Sequence, residues 1–84
     1  MNIAVYSIAE TLFEGNADEL IAHTPQGEIT VLNDHIPLIT ILVGPHVSIR
    51  RKNEEPLDIV LTGGVLEVRP QSEAVVLVGD GISR

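Results

Sequence analysis

No cysteine occurs in the 84 residues, which removes disulfide frameworks, thiol nucleophiles, zinc knuckles and iron–sulfur ligation and suits a reducing compartment. Any metal chemistry would rest on His and carboxylates. Aromatic side chains are nearly missing: one Tyr, one Phe and no Trp leave the core to aliphatic packing. Basic residues are scarce, five Lys and Arg against twelve Asp and Glu, and the formal charge of −7 repels phosphate backbones and anionic headgroups. Nucleic-acid binding and polybasic membrane attachment are both disfavoured. Long apolar runs are absent as well. The longest, Ile36 to Val43, is interrupted by Pro37 and Thr40 and falls far short of the about 20 residues of a membrane helix. The opening Met1-Asn2-Ile3 shows neither a basic n-region nor a cleavage-like site, so the mature chain is expected to start there.

What is present is β-branched. Ten Val, ten Ile and five Thr make 25 such residues, against five Ala to favour helix. Hydrophobic residues form 44% of the chain, enough to argue against disorder, and the length allows one core, so residues 1–84 read as a single β domain. Periodicity agrees. Val47, Ile49 and Arg51 alternate with His46, Ser48 and Arg50, while Leu57, Ile59 and Leu61 alternate with Asp58, Val60 and Thr62. Turn signals recur at Gly15-Asn16, Pro25-Gln26-Gly27, Asn33-Asp34, Gly44-Pro45, Lys52-Asn53, Pro70-Gln71-Ser72 and Gly79-Asp80-Gly81. The pattern predicts strands near 2–8, 11–14, 18–23, 28–32, 38–43, 46–51, 57–62, 65–69 and 74–78, in a sandwich or barrel without helix. Gly63-Gly64 interrupts an extended run and predicts a bulge or a corner where a strand changes sheet.

Chemistry-bearing constellations are few. His23, His35 and His46 are the candidate bases, in three separate segments without metal-ligand spacing, and Ser7, Ser48, Ser72 and Ser83 are scattered. Thr62-Gly63-Gly64 lacks the lysine and the strand-to-helix junction of a phosphate loop. Neither a catalytic site nor a bound cofactor is expected. Lys52, the one lysine, stands in the charged Arg50–Glu55 segment that reads as a hairpin tip. It is either part of a solvated turn or the attachment point of a lipoyl or biotinyl group in a carrier domain. Ile36, Leu38, Ile39, Ile41, Leu42 and Val43 put apolar groups on both faces of one strand. The second face is covered by a loop, left as apolar surface, or used to bind a partner.

The stretch Gly27-Glu28-Ile29-Thr30-Val31-Leu32-Asn33-Asp34-His35-Ile36-Pro37-Leu38-Ile39-Thr40, followed by Gly63-Gly64-Val65-Leu66-Glu67-Val68, resembles the epsilon subunit of F-type ATP synthases, called delta in mitochondria. Leu12-Phe13-Glu14-Gly15 falls where that family has its Phe-x-Gly segment. The resemblance implies a ten-stranded, two-sheet β-sandwich in the central stalk of the rotor, bound to the gamma subunit and to the ring of c subunits. Such a domain couples ion flow to ATP synthesis without catalysing anything. It implies Ser7, His35, Ile36, Leu38, Ile39 and Thr40 at the gamma interface and Glu28 at the c ring. The complex would sit at the cytoplasmic face of the bacterial plasma membrane, with the plastid thylakoid as the other setting.

The sequence departs from the family pattern in three places. Asn33-Asp34 replaces Pro-Gly before the histidine, a change the turn tolerates because Asn and Asp accept positive φ. Ser7-Ile8-Ala9-Glu10 stands where Thr-Pro-Glu is common. The chain stops at Ile82-Ser83-Arg84, where the family continues into a helical hairpin that restrains ATP hydrolysis, so the expectation is a coupling role without that arm.

Overall fold

The computed structural model describes residues 1–79; the expected turn at Asp80-Gly81 lies outside them. Eight strands and no helix are described: β1 (Asn2–Tyr6), β2 (Thr11–Asn16), β3 (Glu19–Thr24), β4 (Gly27–Val31), β5 (Leu38–Arg50), β6 (Leu57–Val60), β7 (Gly63–Arg69) and β8 (Glu73–Val78). The all-β expectation holds, with eight strands rather than the ten implied by the resemblance. The strands form one hydrogen-bonded path, β2-β1-β8-β7-β5-β3-β4, with β6 added to β5. Every pairing is antiparallel except β1 with β8.

Two segments expected as separate strands, 38–43 and 46–51, are one strand. β5 runs 13 residues through Gly44-Pro45 and changes partners there. Its first half, Leu38 to Val43, pairs with β7, while its second half pairs with β3 and β6; Val43, at the junction, also pairs with His23 of β3. Pro45 has no N–H to offer a ladder, but its carbonyl oxygen accepts from Leu61 N at 2.9 Å, which keeps the chain tied through the turn point. Gly44 is needed there, because a Cβ would lie 2.7 Å from the Leu61 carbonyl oxygen. The corner expected at Gly63-Gly64 is found immediately ahead of it: β6 pairs with the second half of β5 and β7 with the first, so the chain also changes layers at Leu61-Thr62, level with the turn point of β5. Gly64 stands in register inside β7, where an added Cβ would collide with the Leu77 carbonyl oxygen of β8.

The partner change divides the path into two layers, β2-β1-β8-β7 with the first half of β5, and β3-β4-β6 with the second half. Val5, Leu66 and Val76 from the first layer and Leu20, Val31, Val47 and Ile49 from the second belong to one buried aliphatic cluster. Alternation along each strand supplies this core, since successive side chains point to opposite faces.

Register makes the alternation explicit in the first layer. Thr40, Leu66, Val76 and Val5 form one row across β5, β7, β8 and β1, and Leu38, Val68, Ala74 and Ile3 form another. Both rows face inward, and every member except Leu38 and Thr40 is buried. The intervening rows, Ile41-Val65-Leu77-Tyr6 and Ile39-Glu67-Val75-Ala4, face outward.

The turn at Asn33-Asp34 survives without Pro-Gly. Asp34 takes φ 65°, a left-handed conformation that Asp adopts more readily than most residues. Its backbone N–H donates to Ser72 Oγ at 3.0 Å, tying this loop to the β7–β8 turn.

Candidate functional site: an apolar sheet face

The outer face of the first layer is apolar at its centre. Ile41 (58% exposed), Val65 and Leu77 follow one another across β5, β7 and β8, with Ile39 (73% exposed) and Val43 beside Ile41 on the same strand. Ile39, Val65 and Leu77, with Tyr6, line a shallow depression of about 300 Å³. A second hollow of about 410 Å³ continues past Ile39 to Pro37 and Pro70. Charge enters at the margin: Arg69 donates to Glu67 across 3.1 Å, and that bond, with the carboxylate's charge, raises the guanidinium pKa. The pair is compact and self-neutralising, so the patch keeps an apolar middle and a polar border.

The sequence-derived residues distribute unevenly around this face. Ile39 is central to it. Ile36 is 77% exposed in the loop leading to Pro37 and β5. His35 is half-buried in the same loop; its Nδ1 lies 2.7 Å from the Ile36 carbonyl oxygen, an acceptor only, so that nitrogen carries the proton. Leu38 and Thr40 belong to the inward rows, and Leu38 packs on the core. Three consecutive strand residues cannot share one face. Ile41 and Val43 take the outward places that alternation from Ile39 assigns, a signal present in the sequence but not used in the expected interface set.

Ser7 follows Tyr6 at the end of the outward row. Its Oγ accepts from Ala9 N at 3.3 Å and Glu10 N at 3.2 Å, closing the β1–β2 turn. Glu28 stands elsewhere, exposed on edge strand β4 opposite His23, beside the Thr24–Gly27 hairpin turn. Thr24 Oγ1 donates to the Gly27 carbonyl at 2.9 Å and accepts from Gln26 N at 3.1 Å, so this turn is rigidly closed. Glu28 and the His35 loop lie toward opposite ends of β4, roughly 13 Å from Glu28 to Leu32 along the strand at about 3.3 Å per residue.

Lys52 is exposed in the β5–β6 turn, flanked by Arg51, which pairs with Glu54 at 3.0 Å. Asn53 at φ 64° shapes that turn. These contacts describe a solvated hairpin and give Lys52 no special setting. Among the described residues no group of three or more His, Cys, Asp or Glu is placed to hold a metal ion.

Residues 1–82 match the family described as ATP synthase, Delta/Epsilon chain, beta-sandwich domain. The chain belongs to this family. Among its relatives, the ATP synthase epsilon chain of Psychrobacter arcticus is 39% identical over 72 residues, 86% of this chain and 52% of that protein. The epsilon chain of Xylella fastidiosa is 36% identical over 80 residues, 95% of this chain and 56% of that one. The chain thus spans about half the length of these relatives. The fold is similar to chains in two solved assemblies. One is the Tetrahymena thermophila mitochondrial ATP synthase central stalk and c-ring, with TM-score 0.81, 19% identity and 95% of this chain against 63% of that one. The other is the Euglena gracilis mitochondrial ATP synthase OSCP/F1/c-ring, with TM-score 0.84, 16% identity and 90% of this chain against 48% of that one. Membership in the delta/epsilon family leaves the carrier-domain reading of Lys52 without support.

Proposed function

We propose that this delta/epsilon chain is a central-stalk component of a rotary ATP synthase that joins the gamma subunit to the c ring and turns with them. Its part is mechanical, and ATP chemistry is performed elsewhere in the complex. The observation that supports this reading best is the uncovered row Ile41-Val65-Leu77 with Ile39 beside it. Apolar surface left in water is unfavourable by about 25 cal/mol for each Å², and a flat apolar middle with a charged border suits a lasting protein contact. Gamma is the partner assigned to this face. Ile39 and Ile41 touch it directly, His35 and Ile36 extend the contact along one end and Ser7 along the other. Leu38 and Thr40 act from the inner rows by fixing the strand that presents them.

Glu28 is assigned to the c ring. A carboxylate on an edge strand beside a closed turn suits a hydrated contact with polar ring loops. The assembly is placed at the cytoplasmic face of the bacterial plasma membrane, in keeping with the bacterial relatives.

A titration of the 84-residue chain against gamma from the same genome tests the reading, with Ile39→Asp alongside. The expected result is saturable binding by the wild type and a loss of about 100-fold or more, equivalent to about 2.7 kcal/mol, in Ile39→Asp with an unchanged melting curve. A folded wild type that does not bind gamma, or an Ile39→Asp variant that binds equally well, would overturn it.

A further inference from the structure

The three histidines are far apart in sequence, yet the fold brings two of them together. His23 of β3 and His46 of β5 have ring centres 5.6 Å apart, with planes crossing at 77°. They stand on the outer face of the second layer, where His23 has Glu28 directly opposite on one side and Val43 on the other, and His46 has Val60 directly opposite. Both are half-buried, so their strands limit how far the rings can swing. No hydrogen bond within the described residues engages either ring, in contrast to His35, whose Nδ1 is held by Ile36. Two adjacent imidazoles therefore present nitrogens without a protein partner.

We propose that His23 and His46 form a two-imidazole site for a borderline transition-metal ion such as Zn²⁺ or Cu²⁺. The spacing is right for it. With a metal–nitrogen bond of about 2.0–2.1 Å and a ring centre about 1.2 Å farther on, two imidazoles sharing a tetrahedral ion have centres about 5.3 Å apart. The observed separation of 5.6 Å is close to that value. The ligand type excludes hard cations, because Mg²⁺ and Ca²⁺ require oxygen ligands while imidazole suits zinc and copper. With no third His, Cys, Asp or Glu placed to join them among the described residues, the chain supplies two ligands and water fills the remaining positions, giving an open, exchangeable site.

Calorimetric titration of the full 84-residue chain with ZnCl₂, CuCl₂ and MgCl₂ tests this. The expected outcome is one ion per chain, tighter for copper than for zinc and absent for magnesium. His23→Ala and His46→Ala should each weaken zinc binding by about 10-fold or more, whereas His35→Ala should leave it unchanged. Zinc should also raise the thermal midpoint of the wild type and of His35→Ala, but not of the other two. If an alanine variant melts well below the wild type without metal, His23→Gln or His46→Gln replaces it. Failure of zinc to saturate the wild type at millimolar concentration overturns the site, as does retained affinity in both His23 and His46 variants or an equal loss in His35→Ala. Gamma binding is read with Ile39→Asp and metal binding with the His23 and His46 variants, so the two proposals fail separately.

Discussion

The two outer faces of this protein share one strand and one core, yet their surfaces differ in kind. On the first layer the outward positions of β5, β7 and β8 are Ile41, Val65 and Leu77, an aliphatic row. On the second layer the same strand continues outward through His46 and Ser48, and the neighbouring outward positions are Ile21, His23, Glu28, Thr30, Asp58 and Val60. Ser48 donates its hydroxyl proton to Asp58, and Glu19 meets Arg50 at 3.7 Å, so part of that face pairs its polar groups within itself while the rings of His23 and His46 stay unpaired. Alternation fills the interior equally well in both layers. What the difference teaches is that the inward half of a strand's pattern reports folding, whereas the outward half is free to differ: aliphatic on one side, mixed and richer in polar groups on the other.

Four experiments would break or sharpen that contrast. The largest effect should come from the shared interior: Leu66→Ala, at a fully buried position, is expected to lower stability by about 2–5 kcal/mol in chemical denaturation. Next is Ile41→Asp at the middle of the aliphatic row. It should reduce gamma affinity by about 100-fold, about 2.7 kcal/mol, while denaturation shifts by less than about 0.5 kcal/mol. Equal losses in both measurements would mean that Ile41 serves the fold and not a partner. Glu28→Lys should weaken attachment to isolated c ring by about 10-fold in a pull-down and leave gamma binding intact. A ring contact indifferent to this reversal would remove Glu28 from the interface. The smallest effect belongs to Thr30→Asp on the polar face, expected within about 0.5 kcal/mol of wild type in stability and neutral for gamma binding. A strong loss of gamma binding there would show that the gamma contact extends onto the second face.

Much of this was legible along the chain. Period-two alternation and punctuation by Gly, Pro and Asn place every described strand within a few residues, and the tolerance of Asp for positive φ foretells the turn at Asp34. The partner change in β5 was not legible, because Gly44-Pro45 is also what a tight turn between two strands looks like. Whether such a pair ends a strand or bends it depends on the Leu61 backbone, 17 residues on. The same limit applies to Gly63-Gly64, where the reason for glycine is the approach of Leu77 from β8. Resemblance led to Leu38, Ile39 and Thr40 together, while strand geometry keeps Ile39 and exchanges its neighbours for Ile41 and Val43. The meeting of His23 and His46 depends on two non-local pairings and leaves no local trace.

The position of β8 bears on how the chain is made. β8 is the last strand described, and it lies between β1, the first, and β7. Until residues 73–78 are available, β1 has only β2 beside it, and the backbone groups of Asn2–Tyr6 that later bond to β8 stay unsealed next to Ile3 and Val5. A nascent chain therefore carries an open, sticky strand edge until residues 73–78 have been made. The sheet becomes continuous only when β8 slots into the gap, so the chain closes like a clasp rather than growing from one end.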